Sequence, residues 1–156
     1  IGLMMATIMG LHADSLHYAR LLGRSMQYIN FIRDIDEDLS LGRRYLPLAG
    51  TGLSELSEPC ARKHPERFTR FIHSQLQLYE QWQTEAEKGF SYIPKRYLVP
   101  IKTASDKYKW TGRTIRKNPL VVFEKKVKPP ALHILVSGIC NAFTIKTTCS
   151  YKQTAA

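Results

Sequence analysis

Between Gln27 and Pro47 the chain places Gln27, Asn30, Asp34 and Asp38 in an otherwise apolar run. At about 100° per residue these four fall within roughly 80° of one helix face. Tyr28, Ile29, Phe31, Ile32, Ile35 and Leu39 occupy the opposite side. A helix that buries the apolar side must turn the amides and carboxylates toward a cleft or toward water. Like charges one turn apart cost a few tenths of a kcal/mol on a bare helix, a cost that a bridging cation removes. Carboxylate and amide oxygens are hard ligands suited to Mg²⁺, which typically joins one or two carboxylates to substrate phosphates. The plainer alternative is a solvated acidic helix end, with Asp36, Glu37 and Asp38 preceding a stop at Gly42. The amides on the same stripe, with Arg43 and Tyr45 just after it, favour a magnesium–diphosphate site.

The elements that must hold this row read as helix after helix. Ile1 to Leu11 is apolar with small residues and is expected to end a buried helix. Asp14 or Ser15 can cap a second helix that continues to about Leu39. Ala49 to Lys63, with Gly50, Gly52 and Pro59, reads as a loop or short helical turns. Pro65 suits a helix start, and Phe68, Phe71, Ile72, Leu76, Tyr79, Trp82 and Ala86 recur at helical spacing up to a stop at Gly89. A further helix starting near Pro94 carries Tyr97, Ile101, Ala104, Tyr108, Thr111 and Ile115 on one stripe and ends at Asn118-Pro119. Leu120 to Phe123 fits helix or strand. Ala131 to Ile145 is too short to span a bilayer, and is either packed or lying on a surface, with packing favoured. Lys146 to Ala156 is expected to be disordered.

The row and its sequel also carry a resemblance. Gln27-x-x-Asn30-x-x-Arg33-Asp34-x-x-Glu37-Asp38, followed by Gly42-Arg43-x-Tyr45-Leu46-Pro47, resembles the second aspartate-rich motif of the squalene/phytoene synthase family. Ile1-Gly2-Leu3-Met4-Met5 is similar to the helix before that motif. Tyr108, Phe123 and Lys126-Val127-Lys128 resemble the family's last helix and basic segment, although Lys126 stands where members often have Arg. The resemblance implies an all-α fold, the C-terminal part of the isoprenoid-synthase helical domain over residues 1–128, with 129–156 as a terminal helix and tail. The family's earlier aspartate-rich motif has no counterpart, so half of a metal site is expected, and the chain by itself is expected to be inactive.

The implied reaction joins two allylic prenyl diphosphates head to head through a cyclopropyl diphosphate. Phytoene from two geranylgeranyl diphosphates is favoured by the Gly-Arg-x-Tyr-Leu-Pro ending. Squalene or dehydrosqualene from farnesyl diphosphate is the nearest alternative, and squalene would also need NADPH. A non-catalytic assembly or interaction factor is the alternative of another class. The metal is Mg²⁺, or Mn²⁺ in its place, on Asn30, Asp34 and Asp38. Asp34, Asp38 and Tyr108 are the catalytic candidates, and Gln27, Asn30, Arg33, Arg43, Tyr45 and Lys126 the substrate-binding ones. Arg33 either pairs with Glu37 across one turn or contacts substrate. Tyr108 on a buried stripe is otherwise a core residue, and Arg43 otherwise a surface charge. A guanidinium at Arg43 can grip phosphate oxygens in pairs.

Charge is unevenly placed. Residues 1–93 hold ten Lys/Arg and eleven Asp/Glu, whereas 94–128 hold eleven Lys/Arg and two acids, within a chain of net charge +10. A basic block of this kind can bind nucleic acid, an anionic membrane or phosphorylated substrates, while a plain solvated helix face accounts for most of its lysines. No groove-reading or base-stacking motif accompanies it, which argues against nucleic acid. Beside the solvated face, phosphorylated substrates and a peripheral membrane surface remain, in a cytoplasmic setting. The five histidines lack ligand spacing, and Cys60, Cys140 and Cys149 lack paired or metal-type spacing, which fits buried or idle thiols.

Overall fold

A computed structural model describes residues 1–145, and the expected disorder of Lys146 to Ala156, like Cys149, lies outside them. Eight α-helices follow one another, with no strand among the described residues: α1 (Gly2–Ile8), α2 (Leu16–Arg33), α3 (Ile35–Ser40), α4 (Glu58–Lys63), α5 (Pro65–Glu87), α6 (Lys95–Lys117), α7 (Val121–Glu124) and α8 (Ala131–Thr144). The all-α reading holds, and the ambiguous Leu120–Phe123 run resolves as the single turn of α7.

Three long helices form the frame. Ile29 and Ile32 of α2, Phe68, Ile72, Leu76 and Tyr79 of α5, and Ile115 of α6 are almost wholly buried in one core. Ser25 meets Gln83, and Tyr28 meets Gln75, so α2 and α5 run antiparallel. Glu87 meets Ser105, and Glu80 takes both guanidinium donors of Arg116 at 3.2 and 2.9 Å, so α6 runs antiparallel to α5 and parallel to α2. Just beyond α5, Gly89 packs directly against Tyr18 of α2. A Cβ on Gly89 would lie 2.3 Å from the Tyr18 Cβ. Gly89 is therefore there for close approach inside a short 3₁₀ turn, Lys88–Tyr92, that continues α5 beyond its expected stop.

A chain of polar contacts threads this core. Gln83, 3% exposed, accepts from Ser25 (2.8 Å) and donates to Ser105 (2.5 Å) and Glu87 (3.0 Å). Glu87 also accepts from Ser105 (2.8 Å) and pairs with Lys109 (2.8 Å), which reaches Asp106 at 3.3 Å. Burial alone would raise the Glu87 carboxyl, but donors from Lys109, Gln83 and Ser105 outweigh it and hold the group below its ordinary range. Asp106 follows the same logic: burial pushes up, while Asn141 and Lys102 pull it lower overall.

Three expectations are corrected. α1 is not a buried helix: only Ala6 is buried, and Ile1, Met4 and Ile8 are exposed. Neither Asp14 nor Ser15 caps α2 with its side chain. The Ser15 hydroxyl instead donates back to the His12 carbonyl (2.6 Å), and His12 Nδ1 accepts from the Asp14 amide (3.3 Å). The second helix breaks at Asp34 rather than running unbroken to Leu39. The expected packing of α8 holds: Asn141, Ser137 and the half-buried Ile134 lie on its inner side, while Leu132, Leu135, Val136, Ile139 and Phe143 are exposed.

Candidate functional site

The break at Asp34 leaves the row in register. Asp34 has φ −99° and ψ 20°, yet its N–H donates to Asn30 O, and the Asp38 N–H donates to Asp34 O, both at 2.8 Å. Asn30, Asp34 and Asp38 thus remain one turn apart, half-buried, while Gln27 at the row's start is exposed. Ile29, Ile32 and Ile35 on the other side are buried and fix the rotation.

The end of the row is set by Gly42. Its φ of +68° lies in the left-handed region that glycine enters without strain, and it reverses the chain so that the Arg43 N–H reaches back to Asp38 O at 2.8 Å. Arg43 and Arg44 are exposed beside Asp38. Tyr45 stacks on Phe31 with ring centroids 4.4 Å apart and planes 16° apart, while Leu46 anchors the loop in the core. A crevice of about 10 Å³ lies among Asp38, Arg43, Arg44 and Tyr45, room for about one water.

Lys126 is brought in from far along the chain. Its ammonium pairs with Glu37 at 2.7 Å across the α3–α7 contact, and the charge of Asp34 also acts on it. The hydrogen bond to Glu37 raises its already high pKa, so it is cationic at any physiological pH. Tyr108 lies on α6, half-buried against the core, with the Lys107 ammonium 5.5 Å from its ring centroid. Arg33 also feels Tyr108 electrostatically, which puts the phenol on the Arg33 side of the bundle.

Arg33 does not pair with Glu37 across one turn. Its guanidinium grips the neighbouring Asp34 at both oxygens, at 2.7 and 2.5 Å, and that hydrogen bonding raises the guanidinium pKa further. The helix break makes this possible, because adjacent side chains on an unbroken helix point about 100° apart.

Two observations bear on whether a hard cation suits the row. The Asn30 Oδ1 is buried and has no hydrogen-bond partner, although a buried unpaired acceptor costs about 1–3 kcal/mol. Asp38 is raised, by burial first and then by the charges of Asp34 and Glu37, against a lowering by Arg43. An unpaired amide oxygen in one row with a carboxylate whose ionised form burial and like charge disfavour is a pattern that divalent cations would relieve. Asp34, bridged to Arg33, still has lone pairs to give. The set is incomplete, since no group of three or more His, Cys, Asp or Glu able to hold a metal occurs among the described residues.

One feature of the site has no clear signal in the sequence. About 360 Å³ of apolar space lies between α1, α2, the end of α5 and α6, lined by residues including Met5, Tyr18, Leu22, Met26, Phe90 and Ile101. Met26 lies one turn before Asn30, and Ala104, also in the lining, one turn before Tyr108, so the cavity begins near the foot of the polar row. The stripe of α6 signals it only in part: Tyr97, Ile101 and Ala104 face this space, whereas Thr111 and Ile115 face the core.

The model of the squalene/phytoene synthase family matches residues 1–133. A 15-cis-phytoene synthase of Enterobacter agglomerans is 33% identical over 153 residues, covering 92% of this chain and 51% of that protein. The chloroplastic phytoene synthase 2 of Zea mays is 31% identical over 136 residues, 81% of this chain and 34% of that protein. A phytoene synthase of Arthrospira platensis is 28% identical over 146 residues, 83% of this chain and 47% of that protein. The chain thus spans about a third to a half of these relatives' length. No solved structure matches it. With the polar row, its glycine-terminated loop and the family match over most of its length, the chain belongs to the squalene/phytoene synthase family.

Proposed function

We propose that the whole protein is a prenyltransferase that joins two allylic prenyl diphosphates head to head, with phytoene as its product. The observation that carries this reading is the unpartnered Asn30 Oδ1 in register with Asp34 and Asp38, one turn beyond Met26 of an apolar cavity's lining. Relatives named as phytoene synthases support phytoene over squalene or dehydrosqualene, and the favoured route needs no NADPH.

Asn30, Asp34 and Asp38 would hold Mg²⁺, with Mn²⁺ as a substitute, alongside carboxylates from beyond this stretch. Bound there, the metal supplies charge neutralisation for a departing diphosphate, and electrostatic stabilisation of that kind often contributes more to the rate than any other single effect. Arg43 is exposed beside Asp38 and is free to grip phosphate oxygens in pairs. Lys126 exchanges its Glu37 partner for phosphate, and Tyr45, held by Phe31, offers its hydroxyl from a fixed ring. Arg33 contributes indirectly, by orienting the Asp34 carboxylate, and Gln27 waits at the solvent end of the row. Tyr108 lies one turn beyond Ala104 of the cavity lining, and that apolar lining would keep water from an allylic cation. Oily substrates of this kind suit a protein that works at a membrane surface. No helix among the described residues is long and apolar enough to cross one.

One observation favours the non-catalytic reading, an assembly factor with the family fold. The bidentate Arg33–Asp34 pair occupies a carboxylate that the enzyme needs for metal. Product analysis of the complete protein with geranylgeranyl or farnesyl diphosphate, with Mg²⁺ and with or without NADPH, separates the readings. Phytoene without NADPH is expected; absence of any product under all conditions would leave the assembly factor.

A further inference from the structure

An amphipathic helix on a protein surface normally buries its apolar stripe and shows its polar one. α8 instead turns Ser137 and Asn141 inward beside the half-buried Ile134 and leaves most of its apolar side chains exposed. Asn141, 4% exposed, donates to Asp106 (2.9 Å) and Thr103 (3.3 Å) of α6, and Ser137 donates to the same Asp106 carboxylate (3.4 Å). On the far side Leu132, Leu135, Val136, Ile139 and Phe143 are 49–85% exposed. At about 100° per residue these five share an arc of roughly 100°, opposite Asn141. The latch to Asp106 fixes which side faces out.

The surroundings say what covers that face. α8 has no acidic or basic side chain other than His133, but it follows Lys125 and Lys128 and lies on α6, which carries eight Lys/Arg and one acid. That acid, Asp106, is already used by Asn141, Ser137, Lys102 and Lys109. In helical projection Lys102 and Lys107 flank the line of Thr103, Asp106 and Trp110 along which α8 sits. Lys95, Arg113 and Lys117 are exposed, with no ion pair among the described residues. A second copy docking here would bring its own basic block against this one. An apolar strip framed by cations instead matches the acyl boundary and phosphates of anionic lipid.

We propose that α8, held on α6 by its polar side, is an interfacial helix that docks the protein on an anionic bilayer surface through Leu132, Leu135, Val136, Ile139 and Phe143. This deepens the peripheral placement given above but does not depend on prenyl transfer, because it is tested by binding without turnover. The probe is co-sedimentation of the protein with vesicles of phosphatidylcholine alone or mixed with phosphatidylglycerol. The mixed vesicles should bind and the neutral ones bind weakly, with added salt reducing the difference. Leu135→Ser with Ile139→Ser should lower binding at least about tenfold, the loss of more than one buried aliphatic side chain. Phe143→Ser, at an 85% exposed site that the fold does not need, should weaken binding as well. Unchanged binding by both variants, no binding by the natural chain, or equal binding to neutral vesicles would each overturn the proposal. So would an oligomer in solution that the variants dissociate while lipid binding is absent.

Discussion

Replacing Gln83 by Leu tests whether the polar thread, as much as the apolar core, sets the spacing of α2, α5 and α6. The side chain is 3% exposed and makes three hydrogen bonds, to Ser25, Ser105 and Glu87. Leu has similar bulk, so no large cavity forms. The partners are not all orphaned: Ser25 can still donate to Leu22 O (3.0 Å), and Glu87 keeps Ser105 and Lys109. The loss is therefore that of three bonds at about 0.5–1.5 kcal/mol each, partly offset by Leu burial, or about 1–3 kcal/mol net. For a domain of this size that corresponds to a melting decrease of about 2–10 °C by calorimetry or circular dichroism. A Ser105→Ala variant in the same background gives the coupling, expected at about 0.5 kcal/mol or more for residues in one network. A Gln83→Leu protein as stable as the original, or additive effects in the cycle, would refute the view that this thread holds the frame.

Gly89→Ala places a methyl against Tyr18 and should destabilise by about 1–3 kcal/mol, read as an earlier thermal transition. Tyr79→Phe removes a buried hydroxyl without a partner, whose ionisation burial strongly disfavours, and should leave the melting temperature unchanged or raise it by a few degrees, about 1 kcal/mol. Glu87 and Asp106 have depressed carboxyl pKa values, so the stability they provide is complete above their unfolded values of about 4 and is lost as the pH falls through the lower folded ones. Melting curves between neutral and acid pH should show that loss, and Glu87→Gln should make it smaller. An unchanged acid slope in that variant would remove Glu87 from the account.

Much of this is legible in the sequence because helix periodicity is a local signal. The apolar positions of α5 and the start at Pro65 follow from spacing alone, and so does the rotation of the polar row. What spacing does not carry is partner choice. An unbroken helix would bring Arg33 to Glu37, but a one-residue break at Asp34 turns it onto its neighbour. Resemblance puts Lys126 near phosphate, while its resting partner Glu37, 89 residues away, depends on how α7 folds back. Glycine at position 89 reads as a helix stop when its neighbours are known only in sequence; its use for the Tyr18 crossing appears only in three dimensions. The side that α8 turns inward is hidden for a related reason. Its apolar content points to packing, but Asn141 and Ser137 find a carboxylate on α6, and buried polar groups that are satisfied can outweigh the turn of the apolar side toward the protein.

The central claim is that Asn30, Asp34 and Asp38 form one wall of a Mg²⁺–diphosphate site. Its most direct test is the Mg²⁺ dependence of product formation by the complete protein, with Asp38→Asn beside the natural sequence. Because Asp38 is raised by burial and like charge, the variant should fold at least as stably without metal, yet lose turnover at any Mg²⁺ concentration. Full activity of Asp38→Asn at limiting Mg²⁺ would contradict the account.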